Sequence, residues 1–238
     1  MKPIHLRNSP LESSRGIETF NHTQFFEFLF TYIKPERYLE LGVRDGETFT
    51  KVAKYCTEAI GVDIKMGTFT LESNMKMHLK TTDDYFNDLD VDEMFDVVFI
   101  DADHSHEQSL KDFLNVKDRI IEDGFIFFHD TYPCHEKYMD RFICHDVYKT
   151  ALYIKEHLID EFEIMTLPIN PGITMVKKMK RMGINILSYF ISDYDETSEY
   201  GSTLLNDFKV MYGQDAQNIN VTSITQVAKT MNKMFLEK

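Results

Sequence analysis

The sequence predicts an α/β fold, a doubly wound and mostly parallel sheet that ends in an antiparallel hairpin, with a helical arm before it and a helical appendage after it. Three observations carry this. Strand-like and helix-like runs alternate from residue 38 to residue 158, the pattern of parallel strands joined by crossover helices. The runs Val97–Ile100 and Phe125–Phe128 are apolar without a break, as expected of strands covered on both faces. Asn170-Pro171-Gly172 then separates two further strand-like runs, and its turn chemistry predicts the hairpin.

Taken in order, residues 1–20 are mixed and polar and read as an arm. From Thr19 to Ile33 the apolar residues Phe20, Phe25, Phe26, Phe28, Leu29, Tyr32 and Ile33 recur at three- and four-residue steps, which predicts a helix packed on a larger body, and Pro35 stops it. Tyr38–Leu41 reads as a strand, Glu47–Tyr55 as a helix, Ala59–Asp63 as a second strand and Met77–Lys80 as a weak third. A short helix follows near Asp84–Leu89. Phe95–Asp101 is the strongest strand; Ser109–Ile121 is an amphipathic helix with Leu110, Phe113, Leu114, Val116 and Ile120–Ile121 on one side; Phe125–Phe128 is a strand. Val147–Leu158 reads as a helix, and Phe162–Leu167 and Ile173–Lys177 as the hairpin strands. The divisions expected are 1–34 as arm and helix, 35–178 as the α/β domain, and 179–238 as a helical appendage that covers the site or pairs subunits; a homo-oligomer is left open.

Composition narrows the classes of function. The 238 residues are 43% apolar and 27% charged, with only 10 Gly and 6 Pro, which excludes a disordered or collagen-like chain. Acids outnumber bases 39 to 26, a formal charge of −13, and such a surface repels a phosphate backbone and offers no handle to anionic lipid. Nucleic acid and membrane are therefore not the expected partners. Three cysteines without C-x-x-C spacing suggest neither a disulfide framework nor a thiolate zinc site, and with no signal-like segment or membrane-length apolar run the expected setting is cytoplasmic. The surplus is local: between Glu36 and Asp130 there are 22 acids and 10 bases, and the nine acids from Asp83 to Asp103 have no Lys or Arg among them. That places the negative field around the expected ligand-binding rim, where it suits a cation.

Four segments carry chemistry. In Leu39-Glu-Leu-Gly-Val-Arg-Asp-Gly46 a strand ends in the acid Glu40 and turns through Gly42 and Gly46 into a helix, so a ligand can approach backbone that lacks Cβ atoms. The spacing is not the dinucleotide fingerprint, since Arg44 stands where a middle glycine would admit a pyrophosphate. Asp63, about 20 residues beyond Gly42, ends the second strand, where nucleotide-binding α/β domains place a carboxylate for ribose hydroxyls. Thr81-Thr-Asp-Asp84 is both a helix cap and a candidate contact for an adenine edge. Finally, Asp101-Ala-Asp-His104 and His129-Asp130 follow the two strongest strands. If those strands are neighbours, Asp101, Asp103, His104, His129 and Asp130 meet at the carboxyl rim, and such a set suits a divalent metal or general acid–base work.

Residues 35–178 resemble class I S-adenosylmethionine-dependent methyltransferases with a Rossmann-like sheet, and most closely the small-molecule group related to macrocin O-methyltransferases and cephalosporin-hydroxylase-like proteins. The resemblance is carried by Glu40-Leu-Gly-Val-Arg-Asp-Gly46, Gly61-Val-Asp63, Phe95-Asp-Val-Val-Phe-Ile-Asp-Ala-Asp-His104 and Asp123-Gly-Phe-Ile-Phe-Phe-His-Asp130. It implies S-adenosylmethionine as cofactor, with Glu40 and Gly42 beside its methionine part, Asp63 on the ribose, Ile64 and Asp83 at the adenine, and Gly46 and Asp101 completing the pocket. It also implies a metal set of Asp101, His129 and Asp130. There His129 departs from the usual carboxylate, which puts magnesium in doubt and better suits manganese, iron, zinc or no metal. His104, His129 and Asp130 are the expected catalytic residues, and a small-molecule hydroxyl the expected methyl acceptor. Two other readings stay open: a metal-dependent hydroxylase, and a scaffold that binds the cofactor without catalysis.

Overall fold

The computed structural model describes residues 21–133, 136–167, 169 and 171–179. The expected arm (1–20) and nearly all of the appendage (179–238) lie outside them.

Helix α1 (His22–Ile33) begins at a capping box in which the Asn21 side chain accepts from the Gln24 amide and the Gln24 side chain accepts from the Asn21 amide. It ends at Lys34, which adopts the left-handed conformation ahead of Pro35. The chain continues through β1 (Arg37–Leu41), α2 (Glu47–Ala53), β2 (Glu58–Asp63), β3 (Met75–Leu79), α3 (Thr82–Asp88), β4 (Phe95–Ile100), α4 (His106–Val116) and β5 (Ile120–Phe128). A 3₁₀ turn at Glu136–Met139, α5 (Tyr148–His157), β6 (Phe162–Leu167) and β7 (Ile173–Lys178) complete it. The strands form one sheet in the order β3-β2-β1-β4-β5-β7-β6, parallel except for β7, which runs antiparallel to both its neighbours. This is the predicted doubly wound sheet with its closing hairpin.

Side-chain alternation splits the core into two layers. Leu39, Leu41, Val98, Ile100, Ile126 and Phe128 face α3, α4 and α5. Tyr38, Val97, Phe99, Phe125 and Phe127 face α1 and α2. On that second face Phe26 of α1 packs against Phe99 and Phe127, with ring centroids 4.6 and 5.0 Å apart. The helix predicted at 19–33 is thus seated on the sheet over β4 and β5.

Most elements shift by a few residues at their ends, and two of the differences from the sequence reading follow from strand pairing. Helix α4 was expected to run to Ile121 but ends at Val116, and Ile120 opens β5 instead, with Ile120 paired to Phe95. The apolar pair Ile120–Ile121 fits a helical face and a strand equally well. Pairing decides between them, and an irregularity between Phe95 and Val97 with Asp123 at φ 64° absorbs the extra length. Strand β3 begins at Met75, two residues early, because β2 extends its ladder to Ala59–Met75.

The order places the topological switch point between β1 and β4, whose carboxyl ends are paired through Leu41 and Ile100. The ladder runs past the strand ends: Gly42 N–H donates to Val62 C=O, Asp101 N–H to Leu41 C=O, and His129 N–H to Ile100 C=O. Gly42, Asp101 and His129 are thereby held side by side on one rim. Among the described residues no helix is long and apolar enough to cross a membrane.

Candidate functional site

Two adjoining cavities open along this rim and share Gly42, Asp63, Ile64 and Ala102 in their walls. The larger, about 740 Å³, also takes in His22, Glu40, Asp101, His104, His129 and Asp130. The smaller, about 340 Å³, is bounded by Thr81, Thr82, Asp83 and Gln108.

At the turn after β1, Gly42 has φ 86°, and a Cβ there would collide with the Asp101 carbonyl oxygen. Only glycine lets the β1 and β4 ends close up in this way. Gly46 also has positive φ, but it lines neither cavity; it is the N-cap of α2, packed against the Phe69 ring. The sequence reading gives it a place on the ligand; in the structure it turns the chain into α2 between Asp45 and Glu47, both of which line the larger cavity. Asp63 accepts hydrogen bonds from the amides of Arg44 (2.7 Å) and Lys65 (3.0 Å), so its carboxylate is fixed between the two cavities. Ile64 beside it is two-thirds exposed, an apolar surface offered to a flat ligand. Thr81 caps α3 by accepting from the Asp84 amide, and it lines the smaller cavity as well, so cap and site coincide.

Glu40 lies on the floor of the larger cavity, almost fully buried, and accepts a 2.6 Å hydrogen bond from the Tyr38 hydroxyl. Burial pushes its carboxyl well above the usual range; the Tyr38 hydrogen bond opposes this, and the charges of Asp101 and Asp63 reinforce it. A cationic ligand entering here would relieve that repulsion.

At the far end of the larger cavity the expected cluster is assembled. His129 Nδ1 lies 3.1 Å from Asp101 Oδ1 and 3.3 Å from Asp130 Oδ2. Burial opposes charge on His129, but the two carboxylates outweigh it and hold the imidazole well above its ordinary range. Asp130 is depressed: its burial is outweighed by His129 and His104 and by a hydrogen bond from the Cys144 thiol. His104 Nδ1 lies 3.3 Å from Asp130 Oδ2. Asp130 itself is held at φ 62°, and the next residues are clasped by the hairpin turn, with Thr131 N–H donating to Gly172 and Tyr132 N–H to Pro171. Asp103 accepts from the Ser105 amide and braces the loop that starts α4.

The three side chains whose donor atoms all lie within 4.8 Å of one another are Asp101, His104 and Asp130. The sequence reading put His129 in that set. Its Nδ1 instead lies against the two carboxylates; His104 Nδ1, 3.3 Å from Asp130 Oδ2 but not aligned for a hydrogen bond, and His129 Nε2 are both buried without a hydrogen-bond partner among the described residues. Asp101, His104 and Asp130 are thus the described side chains that could together hold a divalent cation.

Among the wall residues that were not foreseen, three bear on the chemistry of the site. His22, the first residue of α1, faces His129 edge-on with ring centroids 4.4 Å apart, and burial, reinforced by His129, pushes its imidazole down to about 4. Its position one turn before Phe25 and Phe26 was the available signal, since it puts His22 on the buried face. Phe142, three-quarters exposed, stands at the mouth, and Gln108 of α4 walls the smaller cavity. The acid run is also distributed differently from expectation. Glu93 and Asp96 lie at the amino end of β4, engaged with the Arg37 side chain and amide, at the opposite end of the sheet from the rim. The acids that line the two cavities at the rim are Asp45, Glu47, Asp63, Asp83, Asp101, Asp103 and Asp130, together with the buried Glu40.

Residues 39–131 match the Methyltransf_24 family model, described as a methyltransferase domain. The match takes in the glycine turn, Asp63, Asp83, the whole Asp101–His104 loop and His129-Asp130, and the seven-stranded sheet has the Rossmann-like fold shared by solved methyltransferases. Among solved structures, an SAH-bound methyltransferase from Podospora anserina aligns over 76% of this chain and 89% of its own at 13% identity, TM-score 0.53. An O-methyltransferase from Bacillus cereus in complex with SAH aligns over 73% and 88% at 11% identity, TM-score 0.51. The O-methyltransferase TomG from Streptomyces achromogenes, in complex with SAM, aligns over 66% and 79% at 12% identity, TM-score 0.50. At such identities the likeness is one of fold. No curated protein matches the chain in sequence.

Proposed function

We propose that the protein transfers the methyl group of S-adenosylmethionine to a hydroxyl of a small molecule. The observation that carries this is the continuity of the cavity, from the Gly42 turn and the anchored Asp63 carboxylate at one end to the imidazole and carboxylate cluster at the other. Asp63 accepts from the ribose hydroxyls, Ile64 flanks the adenine, and buried Glu40 with Asp101 faces the cationic methionine part. The resident ligands named for the Podospora, Bacillus and Streptomyces structures support this reading.

Methyl transfer is an in-line displacement. The acceptor oxygen forms its bond to the methyl carbon as the carbon–sulfur bond breaks, S-adenosylhomocysteine leaves, and the hydroxyl proton passes to a base. His129 already holds its proton against Asp101 and Asp130, and this assigns the base to His104, on the cavity wall with Asp130 to stabilise its imidazolium. A divalent cation on Asp101, His104 and Asp130, when bound, supplies Lewis-acid activation of the hydroxyl in place of the imidazole.

The test is methyl transfer from methyl-labelled S-adenosylmethionine to a panel of hydroxylated small molecules, with and without added magnesium or manganese. The expected result is turnover that falls about 100-fold or more in His104→Ala. Cofactor binding without transfer to any acceptor would mark the site as a scaffold, and oxygen-dependent oxidation that needs metal but no S-adenosylmethionine would mark it as a hydroxylase.

A further inference from the structure

The smaller cavity contains a polar network that the methyl-transfer reading does not use. Gln108 Nε2 lies 3.1 Å from Thr82 Oγ1, 3.3 Å from Asp83 Oδ1 and 3.0 Å from Asp112 Oδ1. Asp112 is one helical turn further along α4 and wholly buried. The other oxygen of Asp83 is taken by the Lys111 ammonium. Two carboxylates and a hydroxyl thus converge on one amide nitrogen, which fixes the amide: turning it over would set Oε1 against two carboxylate oxygens. Oε1 has no protein partner among the described residues, and Gln108 forms part of the cavity wall.

We propose that the Gln108 side-chain carbonyl selects a 6-aminopurine in this cavity, by accepting a hydrogen from the exocyclic amino group of the cofactor's adenine. The assignment rests on the cofactor reading above. It follows from the distribution of acceptors: both oxygens of Asp83, the acid expected at the adenine, already pair with side-chain donors, whereas Gln108, a wall residue of this cavity, has an Oε1 without a hydrogen-bond partner among the described residues. A 6-oxopurine would present an acceptor to an acceptor, and the amide is not free to turn to suit it. Asp112, through its hold on Nε2, is a positioning residue for that choice.

The experiment compares S-adenosylhomocysteine with S-inosylhomocysteine, its 6-oxo counterpart, by calorimetric titration of the full chain and of Gln108→Met. The expected result is that the wild-type chain binds the amino form about tenfold or more tightly than the oxo form, and that Gln108→Met brings the two within about threefold. A merely structural role for Gln108 would weaken both ligands equally and leave their ratio intact, and that result overturns the assignment. Wild-type discrimination below about threefold overturns it without recourse to any variant. S-adenosylhomocysteine that fails to bind the wild-type chain brings down the cofactor reading and this one together, whereas binding without discrimination brings down this one alone.

Discussion

Asp112 is the residue whose ionisation the fold penalises most legibly. Burial pushes its carboxyl up to about 6; hydrogen bonds with Thr82 and Gln108 offset part of this, and Asp83 and Asp103 add repulsion. In the unfolded chain an aspartate titrates near 3.9. The folded state therefore binds this proton more tightly: the contribution is fully present below about pH 4 and is lost as pH rises through about 6, a total of about 3 kcal/mol. Asp112→Asn abolishes the titration. Denaturant unfolding should show the variant gaining on the wild type between about pH 4 and pH 7, and a difference that stays flat over that range would contradict the account. The same residue shows where sequence reading stops. Asp63, Asp101 and Asp130 were legible because acids at strand ends have a known destination in this kind of sheet. Asp112, Gln108 and His22 sit on helices, where the sequence shows which face is buried but not which neighbour meets it.

At the scale of elements, the turn after β1 joins the sheet to the site. Its left-handed Gly42 lets the Asp101 backbone approach, and that approach aligns the end of β4 with the end of β1. Gly42→Ala introduces both an unfavourable φ and a clash with backbone that cannot move aside. It should cost about 3 kcal/mol or more in unfolding free energy and remove S-adenosylhomocysteine binding. A variant with wild-type stability and affinity would show that the close approach is not needed. Strand β4, α5 and the closing hairpin were legible because each has a single reading. The α4–β5 junction was not: Ile120 serves a helical face and a strand alike, and its pairing to Phe95 depends on a strand 25 residues earlier.

For the whole molecule, the charge surplus now divides in two. Part of it, with Glu93 and Asp96, lies at the amino ends of the strands around Arg37 and bears on stability. The rest, with Glu40, Asp63, Asp101 and Asp130, surrounds the cavity at the carboxyl ends. A run of acids in sequence spans both ends of the sheet because the chain crosses the domain along β4, so the run alone did not mark the site. The site is marked by the convergence of β1, β2, β4 and β5 at the switch point, and the central claim is that this convergence binds an S-adenosyl ligand. Calorimetric titration of the full chain with S-adenosylhomocysteine tests it most directly. The account predicts a single saturable site whose dissociation constant rises about tenfold or more in Asp63→Ala, in keeping with the loss of a charge-assisted hydrogen-bond acceptor. Absence of heat together with absence of any thermal shift, or an affinity indifferent to Asp63, would contradict it.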